Sequence, residues 1–311
     1  MKRNIYLKTI PPAEAVARVK ASIDREALIR EETIPSHEAS GRVLAHAVHA
    51  RYSSPTFHSA AMDGYAVNAR STFAAREGHP LTLKAGETCF AVNTGHPMPE
   101  GCDAVIMIEQ VVLDGGSVTI EAPAFPWQHV RRIGEDIVAT ELLFPRNHQL
   151  RPWDVGALLS GGIWDVPVWE RVTVRIIPTG DEVLDFTTHP DPGKGQVVES
   201  NSQMLAALAR ELGCVVERAA PVPDNPEALH QALKDSLDAG RHLTIFCAGS
   251  SAGSKDFTRA TLEKEGEILT HGIAAMPGKP SLLANCRGRL VAGAPGYPVS
   301  ALVCFKELLE P

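Results

Sequence analysis

The segment "CAGSSAGSKDFT", residues 247–258, follows an apolar run and gathers Gly249, Ser250, Ser251, Gly253 and Ser254 beside Lys255 and Asp256. Glycines let a backbone approach a ligand closely, hydroxyls donate, and the amides of a helix starting near Phe257 would face an anion. The loop could therefore cradle a phosphate or a similar oxyanion, although an ordinary Gly/Ser-rich strand-to-helix turn has the same composition. The nucleoside-triphosphate pattern G-x-x-x-x-G-K-[ST] is absent. In "MPGKP", Pro277 and Pro280 preset the backbone around Lys279, so its ammonium is aimed at an anion or is a plain solvated turn lysine. Carboxylates recur in similar turns: Asp181 and Glu182 in "PTGDE", Asp224 in "PVPDNP", and Asp256. Together they would repel a phosphate unless a hard cation lay between, and magnesium works with one or two carboxylates plus substrate oxygens and water. Each acid alone also fits as an N-cap or turn residue, Asp224 before Asn225-Pro226 most of all.

The elements that would position these residues follow from periodicity. Ala15, Val16, Val19, Ile23 and Leu28 fall on one helical stripe within residues 12–30. From about 51 to 136, short alternating runs with many glycines and prolines predict a small β-rich insert. There Asp63-Gly64 reads locally as a hairpin turn. "LRPWDVGALLSGGI" predicts a helix closed by its glycine pair. After about 172, strands at "VTVRIIP", "CVVERAAPV", "HLTIFC", "GIAAM" and "RLVAGA" alternate with helices at "SNSQMLAALARELG", "NPEALHQALKDSLDAG", "FTRATLEKEG" and from Pro298. Ser200 or Ser202 is the expected N-cap of the first of these helices, and Pro226 lies near N1 of the second. Such alternation predicts a doubly wound, largely parallel sheet. "PTGDE", "CAGSSAGSKD" and "GAPGYPVS" then all lie past carboxyl ends of strands, the edge where open α/β sheets bind ligands.

The 311-residue chain is long for one core, so two or three domains are expected. A net charge of −7 gives no basic excess for nucleic acid. No run resembles a signal peptide or a bilayer span, so a soluble, cytoplasmic protein without membrane partners is expected. None of the six cysteines forms a CxxC pair and the twelve histidines are scattered, which favours structural roles over zinc or disulfides.

"SAAMDGYAV" resembles the SAMDGYAV signature of the molybdopterin molybdenumtransferases, the MoeA/gephyrin family. "NTGHPMPEGCDAVIMIE", "RRIGEDI", "PTGDEV", "ESNSQML", "PGKP" and "APGYPVSA" follow in that family's order across nearly the whole chain. The resemblance implies an α/β multidomain fold. An N-terminal helix and linking domain (1–50 and 137–171) would flank a β-rich insert (51–136). A three-layer α/β/α molybdopterin-binding domain, similar to the adenylyltransferases, would occupy 172–311. The chain ends at Pro311, where the family normally continues into a small C-terminal β domain, so that domain is expected to be absent.

The resemblance also implies an activity: molybdenum from molybdate enters adenylylated molybdopterin with release of AMP, dependent on Mg2+. Molybdopterin adenylyltransferase would be a partner. Family members are homodimers whose cleft joins the α/β domain of one subunit to the insert of the other. Carried over by motif, Glu182 and Asp256 would serve the metal and Asp224 the pyrophosphate chemistry, while Lys279 would neutralise oxyanion charge. Gly249, Ser250, Ser251, Gly253, Ser254, Pro295 and Gly296 would hold the pterin phosphate, and Asp63, Thr94 and Asp136 would close the cleft.

The chain departs from the family pattern at several positions. Ser254 replaces an acid and Lys255 adds a charge, Met276 stands where a basic residue often precedes PGKP, His58 replaces an aspartate, and Tyr297 replaces the asparagine of GNPVS. A non-catalytic molybdopterin-binding scaffold is the alternative that the lost acid favours. An adenylyltransferase is a further alternative, against which the retained insert motifs count.

Overall fold

The computed structural model describes residues 8–247 and 257–311. They form two compact units, one of residues 1–32 with 169–311 and one of residues 33–168.

In the first unit the order is α1 (Pro12–Ser22), β1 (Thr173–Pro178), β2 (Val183–Leu184), β3 (Val197–Val198), α2 (Asn201–Glu211), β4 (Val215–Arg218), α3 (Pro226–Asp238), β5 (Leu243–Cys247), α4 (Phe257–Glu265), β6 (Gly266–His271), β7 (Leu282–Cys286), β8 (Arg289–Ala294) and α5 (Pro298–Cys304). The main sheet has the order β4-β1-β5-β8-β7-β6. Strands β4, β1, β5 and β8 are mutually parallel, whereas β7 and β6 run antiparallel to their neighbours.

The central strands read as near-continuous apolar runs because both faces are covered. Ile176, Ile245 and Ala292 pack with α1, α2 and α5, while Ile177, Phe246 and Val291 face α3 and α4 through Leu229, Leu233 and Leu262. Fully burying a side chain of this size stabilises a fold by roughly 1.5–3 kcal/mol, so these layers fix the sheet before any loop is considered.

Local rules explain where the structure departs from the sequence expectations. The stripe over 12–30 breaks at Ser22, and a short second helix (Arg25–Leu28) restarts behind Asp24, whose carboxylate accepts from the Glu26 and Ala27 amides. The strand expected at "GIAAM" lies earlier, at Gly266–His271, because Gly272 and the prolines beyond it lead into a turn. β7 was unforeseen: Arg287 (φ 52°) and Gly288 (φ 78°) form a two-residue hairpin turn that sends the chain straight back into β8. Helix α2 is not capped by a serine hydroxyl; the Glu199 carboxylate accepts from the Ser202 amide at 2.7 Å and from its hydroxyl at 2.6 Å.

The second unit is built from short antiparallel pieces. Cys89–Val92, Gly64–Val67 and Ala104–Met107 form one three-stranded sheet, and Leu81–Lys84, Ser117–Ile120 and Val111–Asp114 form another. Asp63-Gly64 is not a hairpin turn: Gly64 opens a central strand. A Cβ at Gly64 would lie 2.0 Å from the Ile106 carbonyl oxygen, so only glycine lets the two backbones pair there. The helix Pro152–Ser160 follows, and its glycine pair ends it as expected, with Gly162 at φ 77°.

That helix begins on a buried carboxylate. Asp154 accepts from the Arg151 amide at 2.9 Å, from Arg151 Nε at 3.1 Å and from His148 Nε2 at 2.8 Å. Burial pushes its carboxyl upward, but these donors outweigh burial and hold it at about 2. The folded pKa lies below the ordinary 3.8, so the stabilisation is complete above that value and is lost as pH falls through about 2.

In acid unfolding monitored on the second unit, Asp154→Asn should flatten the dependence between pH 4 and 2 and cost about 1–2 kcal/mol at neutral pH, allowing for solvent screening at the exposed Arg151. Gly64→Ala should destabilise the same unit by about 3 kcal/mol or more in urea titration; a shift within error would show that the strands can separate without cost.

Candidate functional site

Parallel register places the turns. Pro178 at the end of β1 lies beside Cys247 at the end of β5, and Cys247 lies beside Ala294 at the end of β8. The segments that follow β1 and β8, from Thr179 and from Pro295, therefore leave from one edge. The reversal of β7 brings a third. Leu282, its first residue, pairs with Gly293 near the end of β8, so the preceding turn with Lys279 arrives at that edge too.

A cleft of about 590 Å3 opens there, lined among others by Pro178, Glu182, Cys247, Pro280, Gly296 and Tyr297. Its remaining wall is the β2–β3 ribbon and the start of α2, including Val183, Val197, Val198, Glu199, Ser200 and Asn201.

Each side chain has a local reason for its place. The Thr179 amide and hydroxyl both donate to the Cys247 carbonyl, at 2.9 and 3.1 Å, and the Gly180 amide donates to the Val222 carbonyl, so the "PTGDE" turn is tied to the end of β5 and to the segment after β4. Gly180 has φ 136°, a conformation that side chains rarely adopt, and a Cβ there would lie 2.8 Å from Val183 Cγ2 and 3.0 Å from both Glu182 carboxylate oxygens, so the tight turn is built on glycine. Asp181 accepts from the Asp224 amide at 3.1 Å, which joins the turns after β1 and β4. Asp224 stands behind that contact and is not part of the cleft lining. It is not the cap of α3, a role taken by Asn225, whose side chain accepts from the Ala228 amide.

Lys279 is exposed on a turn whose backbone is fixed from both sides: its carbonyl accepts from the Ile273 amide, and the Ser281 hydroxyl donates to Gly278. Pro295 and Gly296 line the cleft, and Asn201 Nδ2 donates to the Gly296 carbonyl at 2.8 Å. Gly249, Ser250, Ser251, Gly253, Ser254 and Asp256 lie outside the described residues. Burial raises the Cys247 thiol well above its ordinary value, so it lines the cleft as an uncharged group and not as a nucleophile.

In the second unit, Asp63 and Thr94 meet directly. The Thr94 amide and hydroxyl donate to Asp63 Oδ1 at 2.7 and 2.9 Å, and these two bonds, the amide first, hold the Asp63 carboxyl below its ordinary range. Asp136 is paired with Arg131, which lies on the short strand Val130–Arg131 opposite Ser59–Ala60. His58 Nδ1 accepts from the Ile133 amide and its ring packs on Trp127 at 4.9 Å, so this histidine is a structural post. Among the described residues, no group of three or more His, Cys, Asp or Glu side chains is placed to hold a metal by itself.

Comparison with known proteins decides the family. Residues 10–162 match the model of the MoeA N-terminal region (domains I and II), and residues 175–311 match that of a molybdopterin-binding domain. A molybdopterin molybdenumtransferase of Haemophilus influenzae is 34% identical over 300 residues, covering 90% of this chain and 71% of its own length. One from Synechococcus elongatus is 31% identical, with 90% and 74% covered. The chain belongs to the molybdopterin molybdenumtransferase family. It is thereby placed among the transferases of molybdenum cofactor biosynthesis, as the motifs implied. A crystal structure of a molybdopterin biosynthesis MoeA protein from Pyrococcus horikosii superposes with a TM-score of 0.81 at 29% identity, covering 98% of this chain and 79% of that one.

Within this molybdenumtransferase fold, sequence reasoning missed Glu199, Asn201 and the ribbon valines as cleft residues. "ESNSQML" carried the signal for the first two: an acid and an amide at the mouth of an apolar helix are polar groups that burial must satisfy. Nothing in the sequence marked Val197 and Val198, because two exposed valines carry no periodicity.

Replacing Thr94 by alanine removes one of the two bonds to Asp63 while keeping the amide. The Asp63 carboxyl should then titrate closer to 3.8 in an NMR pH series, and an unchanged midpoint would show that the hydroxyl contributes nothing.

Proposed function

We propose that this chain inserts molybdenum from molybdate into adenylylated molybdopterin and releases AMP. The reading rests on one observation above others: the cleft at the carboxyl edge of β1, β5 and β8 belongs to the segment matching a molybdopterin-binding domain, and it is bordered by Glu182, Asn201 and the Pro295–Gly296 turn. An apolar ribbon wall and a polar floor suit a substrate with a flat ring at one end and phosphates at the other.

The roles are those the family motifs imply. Gly249, Ser250, Ser251, Gly253 and Ser254, with Pro295 and Gly296, would hold the pterin phosphate through amides and hydroxyls. Lys279, on a turn fixed at Ile273 and Gly278, would offset oxyanion charge. Glu182, with Asp256, would hold Mg2+. The donor set is hard oxygen, and an ion that keeps its waters and takes one or two carboxylates plus phosphate oxygens suits a site with no protein-only cage among the described residues. Bound there, magnesium would offset charge on the phosphoanhydride that is broken. Asp224 would serve the pyrophosphate chemistry by fixing Asp181 and with it the Glu182 turn. Asp63, Thr94 and Asp136, supplied by the partner in a homodimer, would close the cleft. In this reading residues 1–50 and 137–171 link a 51–136 insert to the 172–311 domain, and a cytoplasmic adenylyltransferase supplies the substrate. No helix among the described residues is long and apolar enough to cross a membrane.

The test is AMP release from adenylylated molybdopterin with Mg2+, with and without molybdate. Molybdate-dependent release is expected, reduced about 100-fold or more by Glu182→Gln or Asp256→Asn with pterin binding retained. Tight pterin binding without any AMP would replace this reading with that of a scaffold.

A further inference from the structure

The β2–β3 ribbon forms much of the cleft wall yet has almost nothing of its own to hold it. Each strand is two residues long, none of their side chains is buried, and residues 191–198 are all exposed. Two ladder bonds, from the Val197 amide to the Glu182 carbonyl at 3.0 Å and from the Glu199 amide to the Leu184 carbonyl at 2.9 Å, join its arms to each other. An isolated ribbon of this size is unstable in water.

One guanidinium supplies the missing tie. Arg218, the last residue of β4, has a side chain only 14% exposed. Its Nη2 donates to Asp185 Oδ1 at 2.9 Å, just beyond β2, and its Nε donates to the Ser202 hydroxyl on α2 at 3.0 Å. The same Nε lies 3.5 Å from Glu199 Oε2, just beyond β3, and the guanidinium carbon sits 4.5 Å over the Phe186 ring. The group thus reaches both arms of the ribbon, the helix start and the sheet at once. A planar fork of donors with a stackable face can do this, and an ammonium cannot. Asp185 is held ionised for the pairing, first by the Thr187 amide and then by Arg218.

We propose that Arg218 is a positioning residue of the cleft: it clamps the ribbon to the sheet edge and to α2, and so holds Glu182, at the ribbon's root, and the Val197–Val198 wall where a substrate meets them. It touches neither substrate nor reacting atoms. The structural part stands on the contacts above, and the kinetic part rests on the functional reading.

The test compares Arg218→Met and Arg218→Lys with the unaltered chain by two independent readouts. Native-state hydrogen exchange should show the Val197 and Glu199 amides exchanging about tenfold or more faster in Arg218→Met, the scale expected for losing a charge-assisted hydrogen bond, while the β5 and β8 amides are unchanged. In AMP release, KM for adenylylated molybdopterin should rise about tenfold with a smaller change in kcat, and Arg218→Lys should recover part of the loss. Unchanged exchange at Val197 and Glu199, or equal acceleration across the sheet, overturns the clamp. If Arg218→Met does not fold, Asp185→Asn removes one arm alone and should give the same ribbon-limited acceleration. If the unaltered chain releases no AMP, the functional reading fails while the exchange result still decides the clamp.

Discussion

The parallel pairing of β1, β5 and β8, closed to water on both faces, is the constraint from which the site follows. A strand buried on both sides cannot slip in register without exposing one apolar set to solvent. Ile176 and Ile177, or Ile245 and Phe246, are therefore locked to opposite layers, and Pro178, Cys247 and Ala294 must end level. The turns that border the cleft inherit this alignment.

The antiparallel margin adds to that edge. A parallel strand in place of β7 would require a crossover and would deliver its preceding turn to the opposite side of the sheet. The Arg287-Gly288 reversal instead makes β7 begin where β8 ends, and Lys279 comes with it. A two-residue turn remote from the cleft thus determines which edge receives a cation.

The alternation of strands and helices after residue 172 was legible because buried strands and amphipathic helices are written in periodicity, and the "PTGDE" and "GAPGYPVS" turns were placed correctly from strand ends alone. The β6–β7 stretch was not, since "GIAAM" is as apolar as a strand and only the geometry of Gly272 and the prolines after it excludes one. The Asp63–Thr94 contact spans 31 residues, and the motif resemblance singled out both residues without showing that they touch. Local rules also misread the caps: a serine beside a helix start is the usual solution, but here Glu199 reaches both the amide and the hydroxyl of Ser202 and leaves Ser200 uncommitted. The ribbon escaped altogether, because its order comes from Arg218 and not from its own sequence.

Those ribbon valines carry a thermal consequence. Val197 and Val198 present hydrocarbon to water along one side of the cleft. Any occupant that covers them releases that hydration, and the signature of the event is a negative heat-capacity change. The enthalpy of occupancy would therefore grow more favourable on warming, whereas burying polar surface at the floor would give a weaker slope of the opposite sign.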